Sequence, residues 1–417
     1  MSADSANATS ADIAVVGGGL VGATLAYALS VQGWQVAMME SVEPRAEQQP
    51  SYDDRTLALA WSASRILSGL GIWDALEDSA TPIRRIIVRE LEGPGRVELD
   101  PAEHGLEQFG HVVEARAFGA AMMALLPELE SLQSYIPATV TGVEAGAEQV
   151  ELTFKLDGRK KRLDAALVVG ADGATSFVRK AVGIGASEHD YGQTAVVCNI
   201  TPSKPHAGRA FECFTSTGPF AILPHRGERC GLVWCLSDKE AKEKLELSEE
   251  EFLAAAQKRF GDELGRFKKI GRRSSYPLKQ VRAERDIAER TVLLGNAAHA
   301  IHPIGAQGFN LGLRDVAVLA ELLAEARQAG GDPGDPGLLK AYHNWRRYDQ
   351  SNTIGWTDAL ARLYARPGLG ASLARTAGLI ANRLLPPLRK QVATRAMGYQ
   401  GRIPRLALGE PLDLPGE

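Results

Sequence analysis

The run Gly17-Gly18-Gly19-Leu20-Val21-Gly22 follows an apolar stretch at residues 13–16 and precedes a helix-like stretch at residues 23–31. Residues 35–39 read as a second strand and end on Glu40. Strand, glycine turn, helix, strand and acid therefore come in order, with the acid about 20 residues past the turn, which is the opening βαβ unit of a dinucleotide-binding sheet. Each glycine has a mechanical role in that unit. Gly17 permits the tight turn, Gly19 lets the backbone approach a pyrophosphate, and Gly22 lets helix and strand pack closely. The helix N-terminus offers unpaired N–H groups and partial positive charge to phosphates. Glu40 is placed to accept hydrogen bonds from ribose hydroxyls, and a carboxylate there suits an unphosphorylated ribose, hence FAD or NAD.

Two more strand-like runs end in glycine turns. Residues 166–170 lead into Ala171-Asp172-Gly173, and residues 291–294 lead into Gly295-Asn296-Ala297-Ala298-His299. One compact nucleotide does not need three such turns, whereas FAD, extended from adenine to isoalloxazine, does. Between them, residues 57–70 carry a helical pattern after Asp53-Asp54-Arg55, and residues 83–99 and 150–163 alternate like strands, with Asp157-Gly158 as a hairpin-turn signal. Residues 195–236 are β-rich and predict a separate sheet; residues 249–260 and 311–326 have helical spacing. Residues 330–337 are a loop by composition, and the pattern from residue 338 to the end is helical. The expected class is α/β (α+β overall), a Rossmann-like FAD-binding domain interleaved with a β-sheet substrate domain. Its FAD segments are residues 1–80, 111–185 and 283–345, its substrate segments 81–110 and 186–282, and residues 346–417 add a helical tail.

Composition narrows the function. A net charge of −4 gives no bulk attraction to nucleic acid. Cys198, Cys213, Cys230 and Cys235 lack C-x-x-C spacing and read as reduced core thiols, and no metal site is expected. Residues 1–10 contain no Lys or Arg, so a secretory leader is not expected and the cytosol is the expected compartment. Glycines or charges interrupt the apolar runs before about 18 residues, too soon to span a bilayer, though binding at a membrane surface stays open.

In sequence, Gly17 to Gly22, Asp172-Gly173 with Arg179 beyond, and Gly295-Asn296 with Pro303 resemble the motifs of the single-component flavin aromatic hydroxylases. Further segments, Asp53-Asp54-Arg55, His111-Val112-Val113-Glu114, residues 214–235, His302-Pro303 and Gln307-Gly308-Phe309-Asn310-Leu311-Gly312, are similar to the ubiquinone-biosynthesis branch of that family. The resemblance covers residues 13–396, nearly the whole chain. It departs at Asn296, where the wider family usually has Asp; Asn still donates or accepts at a ribitol hydroxyl.

The resemblance implies an FAD monooxygenase. NAD(P)H is the co-substrate, O2 reacts to give a flavin C4a-hydroperoxide, and a small hydrophobic phenol, here polyprenylated, receives the hydroxyl. With no second G-x-G-x-x-G, the nicotinamide docks transiently. Gly308, Phe309 and Asn310 are expected flavin contacts at the N-terminus of a helix beginning near Asn310. Arg55 and Arg116 match positions that neutralise the pyrophosphate or gate the flavin, or else form surface salt bridges. Pro303 shapes the site wall. His299 is a candidate catalytic base, or a buried histidine satisfying a carbonyl, and the sequence names no other base. The tail sets Leu360, Leu363, Leu379, Ile380, Leu384 and Leu385 among Arg362, Arg366, Arg375, Arg383, Arg389 and Arg395. Such helices lie on a membrane surface and admit a prenyl tail, contact partner ubiquinone-biosynthesis proteins or a second copy, or simply cap the FAD domain. An isoprenoid epoxidase or reductase, and a non-catalytic flavoprotein subunit, share the same FAD motifs.

Overall fold

Three sheets carry the chain in a computed structural model that describes residues 9–43, 55–91, 93–215, 217–365 and 369–412. The helices among these residues are α1 (Leu20–Val31), α2 (Trp61–Gly69), α3 (Ala115–Leu125), α4 (Phe177–Ala181), α5 (Asp238–Glu246), α6 (Glu249–Phe260), α7 (Gln307–Gln328), α8 (Pro336–Ala365), α9 (Leu369–Leu384) and α10 (Pro386–Ala396).

The first sheet has eight strands. At its centre Thr9–Val16 pairs in parallel with Arg159–Gly170 and with Val36–Met39, and Arg159–Gly170 pairs in parallel with Thr291–Leu293. The registers set Val16 opposite both Gly170 and Met39, and Gly170 opposite Leu293. Because the strands are parallel and end level, Gly17, Glu40, Ala171 and Leu294 all leave the sheet along one edge. Ligands bind at that edge in open α/β sheets. Both faces of these strands are buried, one against α1 and α7 and the other under a β-layer containing Val140, Val143, Leu152 and Phe154, which explains why they read as continuous apolar runs.

A nine-stranded sheet holds Arg85–Glu90, Arg96–Leu99, Ala186–Pro202, Arg209–Thr215, Gly218–Pro224, Cys230–Ser237, Phe267–Ile270 and Ser274–Ala283. Its ninth strand is His299–Ala300, which pairs with Ser274–Ala283 and so brings the chain after the third glycine turn onto this sheet. One face packs on α6, where Trp234 meets Phe220 and Phe252 edge to face and Phe260 stacks on Phe220. A small third sheet joins Thr56–Ala60, Gly110–Glu114 and Thr81–Pro82.

The structure corrects three expectations. Residues 57–70 are not one helix: Thr56–Ala60 is a strand, paired antiparallel with Gly110–Glu114, and only then does α2 begin. Long-range pairing overrides the local helical pattern there. The helix placed at residues 311–326 starts one turn earlier, at Gln307. Over residues 397–412 the tail is not α-helical and carries only a short 3-10 turn, Arg405–Leu408. Gly398, Gly401 and Gly409 have left-handed backbone, and the segment folds back over α2, with the Ser62 N–H donating to the Met397 carbonyl and the Arg65 guanidinium to the Leu408 carbonyl. No helix among the described residues is long and apolar enough to cross a membrane.

Candidate active site

A cavity of about 680 Å3 opens along the strand-end edge, between the first sheet and one face of the nine-stranded sheet. Gly17, Gly19, Glu40, Arg55, Asp172, Gly295, Asn296, Pro303, Gly308 and Phe309 line it. They come from every glycine turn singled out in the sequence.

The glycines differ in what they require. Gly17 has φ +103, and a Cβ there would lie 2.5 Å from the Ala171 carbonyl oxygen. At Gly22 a Cβ would lie 1.9 Å from the Gly17 carbonyl oxygen. Gly22 stands behind the cavity wall and holds helix against turn. Gly19, the residue preceding α1, has φ −65, which any amino acid adopts. Its backbone makes no demand for glycine, and it lines the cavity.

Two helices point uncapped N-termini into the cavity. Neither α1 nor α7 has a side-chain cap or an acidic residue in its first turn, so their leading N–H groups and partial positive charge face a ligand. At α4 the donors are taken: Asp172 Oδ2 accepts the N–H groups of Phe177 (2.7 Å) and Val178 (3.0 Å), and Ser176 Oγ accepts that of Arg179. Glu40 is held by the Gly18 N–H (2.7 Å) and the Val42 N–H (2.9 Å), which fix its carboxylate at the cavity's end. Arg55 stacks on Tyr276, 5.0 Å from the ring centre. Asn296 is exposed toward the cavity, and Phe309 meets Phe118 edge to face. A narrow glycine cradle, two positive helix ends and a fixed carboxylate at one extremity fit an extended dinucleotide with an anionic centre.

Other expected residues lie elsewhere. Asn310 does not line this cavity: its amide accepts the Ala60 N–H and donates to the Ala58 and Ala306 carbonyls, stapling α7 to the strand Thr56–Ala60. Arg116 is drawn away by Glu114, to which its Nε donates at 2.7 Å. The His225 hydrogen bond and the nearby Arg116 charge together bring the Glu114 carboxyl down to about 2. Arg116 instead borders a small basic cavity with Arg229, Lys269 and Arg272. Asp53, Asp54 and Arg366 lie outside the described residues.

His299 is buried behind the Gly295 turn rather than in the cavity, with Nε2 2.6 Å from Asp315 Oδ2. Asp315 also accepts the Gly295 N–H, the Arg346 guanidinium and the Gln350 amide. Burial works to raise this carboxyl, but the charges of His299 and Arg346 outweigh it and hold it well below the usual range. Arg346 and Arg314 both bind Asp349, so the network ties the turn to α7 and α8. Sequence reasoning missed this network. His302 is buried too; its Nδ1 accepts the Ile304 N–H, and burial pushes its pKa down to about 4, so it shapes the turn around Pro303 as a neutral ring.

A second cavity, about 400 Å3 and largely apolar, adjoins the first. Ala58, Glu212, Leu223, Ile304 and Ala306 line both. Ile86, Val88, Val97, Leu99 and Phe214 form its sheet wall, and Trp356, Leu360, Leu363, Leu379 and Val392 of α8, α9 and α10 form its roof. The roof is pinned by a buried ion pair, Arg375 Nε to Glu90 Oε1 at 2.9 Å. Phe211, Phe214 and Leu223 of the β-rich segment border this cavity, whereas Phe220, Ile222 and Trp234 belong to the core against α6.

Residues 10–355 match the FAD binding domain family. The ubiquinone hydroxylase UbiL of Rhodospirillum rubrum is 40% identical over 406 residues, 96% of this chain and 94% of that protein. The 3-demethoxyubiquinol 3-hydroxylase of Escherichia coli is 32% identical, over 90% of this chain and 97% of its own. Among solved structures, p-nitrophenol 4-monooxygenase PnpA from Pseudomonas putida superposes with a TM-score of 0.78 at 19% identity, covering 95% of this chain and all of that one.

Proposed function

Since this chain belongs to the FAD binding domain family and is an FAD-dependent monooxygenase, we propose that it hydroxylates the ring of a polyprenylated phenol, of the 2-polyprenyl-6-methoxyphenol type, in ubiquinone biosynthesis. The observation that carries the substrate class is the apolar cavity beside the flavin cavity. A phenol ring fits the junction of the two, and a hydrocarbon tail fits the space beneath α8 to α10.

When bound, FAD reduced by NAD(P)H supplies the activation of O2. The chain's own residues do the rest. Gly17, Gly19 and the α1 N-terminus hold the pyrophosphate, Glu40 the adenosine ribose, and Asp172 and Asn296 the ribitol. Gly308 and Phe309, in the first turn of α7, set positive charge where the flavin ring gains electron density. The apolar walls exclude water and bind the tail. Exposed Ile380, Leu384 and Leu385, beside Arg383 and Lys390, support attachment to a membrane surface as the route by which such a tail arrives.

Tail binding is open to a direct check. A side chain built at Gly378, on the cavity's α9 wall, meets nothing within 4 Å, so a larger residue fits without breaking the helix. Burying five carbons at about 0.8 kcal/mol each is worth about 4 kcal/mol per prenyl unit. Gly378→Trp is expected to raise KM for a multi-prenyl phenol by about tenfold or more while leaving that for a phenol with a short tail unchanged. Equal effects on both substrates contradict tail binding in this cavity.

A further inference from the structure

Glu212 is the one carboxylate lining both cavities among the described residues. It projects from the strand Arg209–Thr215, between register partners Val88 and Ala221, both apolar. Its carboxyl accepts the Gly305 N–H, its Oε1 has no partner, and among the described residues no cation pairs with it. A buried carboxylate oxygen without a partner is costly unless something else engages it. Resting on the hydroxylase reading, we propose that Glu212 is the catalytic base, with Oε1 accepting the proton of the substrate's phenolic hydroxyl.

The step is balanced. The phenol O–H bond breaks, an O–H bond forms on Glu212, and the electron pair stays on the phenol oxygen, enriching the ring carbons ortho and para to it. In the overall reaction substrate, O2, NAD(P)H and a proton give hydroxylated substrate, NAD(P)+ and water, and the proton held by Glu212 leaves in that water. Burial pushes the Glu212 carboxyl up to about 7, suited to exchanging a proton near neutrality. The Cys235 thiol shares the first cavity's wall with Glu212, while Cys213, next along the strand, points to the opposite face; burial raises both thiols, to about 11 for Cys213, so they stay neutral. Of the cations lining the two cavities, Arg55 lies on Tyr276 and Arg375 is paired with Glu90.

The test compares wild type with Glu212→Gln on phenols of graded acidity. At neutral pH, Glu212→Gln is expected to hydroxylate an ordinary prenylphenol about 100-fold more slowly, with KM within about threefold and flavin absorbance unchanged. With a fluorinated prenylphenol that ionises near neutrality without help, the deficit is expected to shrink below about tenfold. Undiminished turnover on the ordinary phenol, or the same loss on both, overturns the assignment. Should the Gln variant lose its flavin, Glu212→Asp replaces it, with a smaller loss and the same dependence on phenol acidity expected.

A second readout needs no turnover. An alkylated 4-nitrophenol bound to wild type is expected to complete its ionisation about one pH unit or more above the same probe on Glu212→Gln, because the second negative charge is opposed by the first. Identical titrations overturn the proposal. If wild type hydroxylates no phenol at all, the hydroxylase reading fails, while this titration still decides whether Glu212 faces the phenol.

Discussion

Gly19→Val is expected to purify folded but colourless. Gly19 has φ −65, so valine meets no backbone strain there, and its side chain is expected to fill the cavity space in front of α1 proposed for the pyrophosphate. Ligand linkage makes this measurable: a protein saturated at 100 times Kd gains about 2.7 kcal/mol. The Tm of wild-type apoprotein should rise on adding FAD, and that of Gly19→Val should not move. The contrast is Gly22→Val. Its Cβ would lie 1.9 Å from the Gly17 carbonyl, so that variant loses folded protein rather than flavin alone. Retention of yellow colour by Gly19→Val contradicts the placement of FAD.

The second large effect concerns the network behind the Gly295 turn. Asp315→Asn leaves His299 and Arg346 without their shared carboxylate in a fully buried site, a change that costs about 3–5 kcal/mol in denaturant titration. The exposed Arg362–Asp358 pair is the control, and Arg362→Ala should cost under about 1 kcal/mol. The pH dependence has a definite sign. The folded Asp315 pKa lies below its unfolded value of about 4. Its contribution is therefore complete above that unfolded value and disappears as pH falls through the folded one. Acid unfolding of Asp315→Asn below about pH 4 should be shallower than that of wild type. Because Asp315 also accepts the Gly295 N–H, flavin affinity should fall with stability.

These two regions differ in how plainly the sequence announces them. The first turn was legible because local mechanics demand glycine: Gly17 and Gly22 face backbone oxygens that no side chain tolerates. Likewise Asp157 and Gly158, with φ 51 and 75, make the tight hairpin their residue types signal, and α6 spans the stretch marked by its apolar spacing. What stayed hidden depends on distant partners. Thr56–Ala60 is a strand only because Gly110–Glu114 lies beside it. His299 stands in a recognisable motif, yet its role is set by Asp315 and Arg346, sixteen and more residues away on α7 and α8. Arg116 is held back by Glu114, whose other carboxylate oxygen is engaged by His225 and Arg229 from more than a hundred residues away. Glu212 did leave a trace, a carboxylate in the otherwise apolar Ala210-Phe211-Glu212-Cys213-Phe214. Charge inside a buried strand demands a partner or a function, and only the meeting of two cavities shows which.

The apolar cavity also bears on the competing readings. An isoprenoid epoxidase or reductase needs a cavity for hydrocarbon and no carboxylate at its inner end. A non-catalytic subunit needs no cavity continuous with the flavin site. Glu212 at the junction of the two cavities favours a substrate with an ionisable hydroxyl on its reacting end.

The most direct measurement follows the oxygen atom. Purified, FAD-loaded protein is supplied with NAD(P)H, 18O2 and a 2-polyprenyl-6-methoxyphenol, and the product is analysed by mass spectrometry. One 18O atom is expected on the ring, with NAD(P)H oxidation that quickens when the phenol is added. NAD(P)H consumed with no 18O in any prenylated phenol, or with 18O on the prenyl chain, contradicts ring hydroxylation.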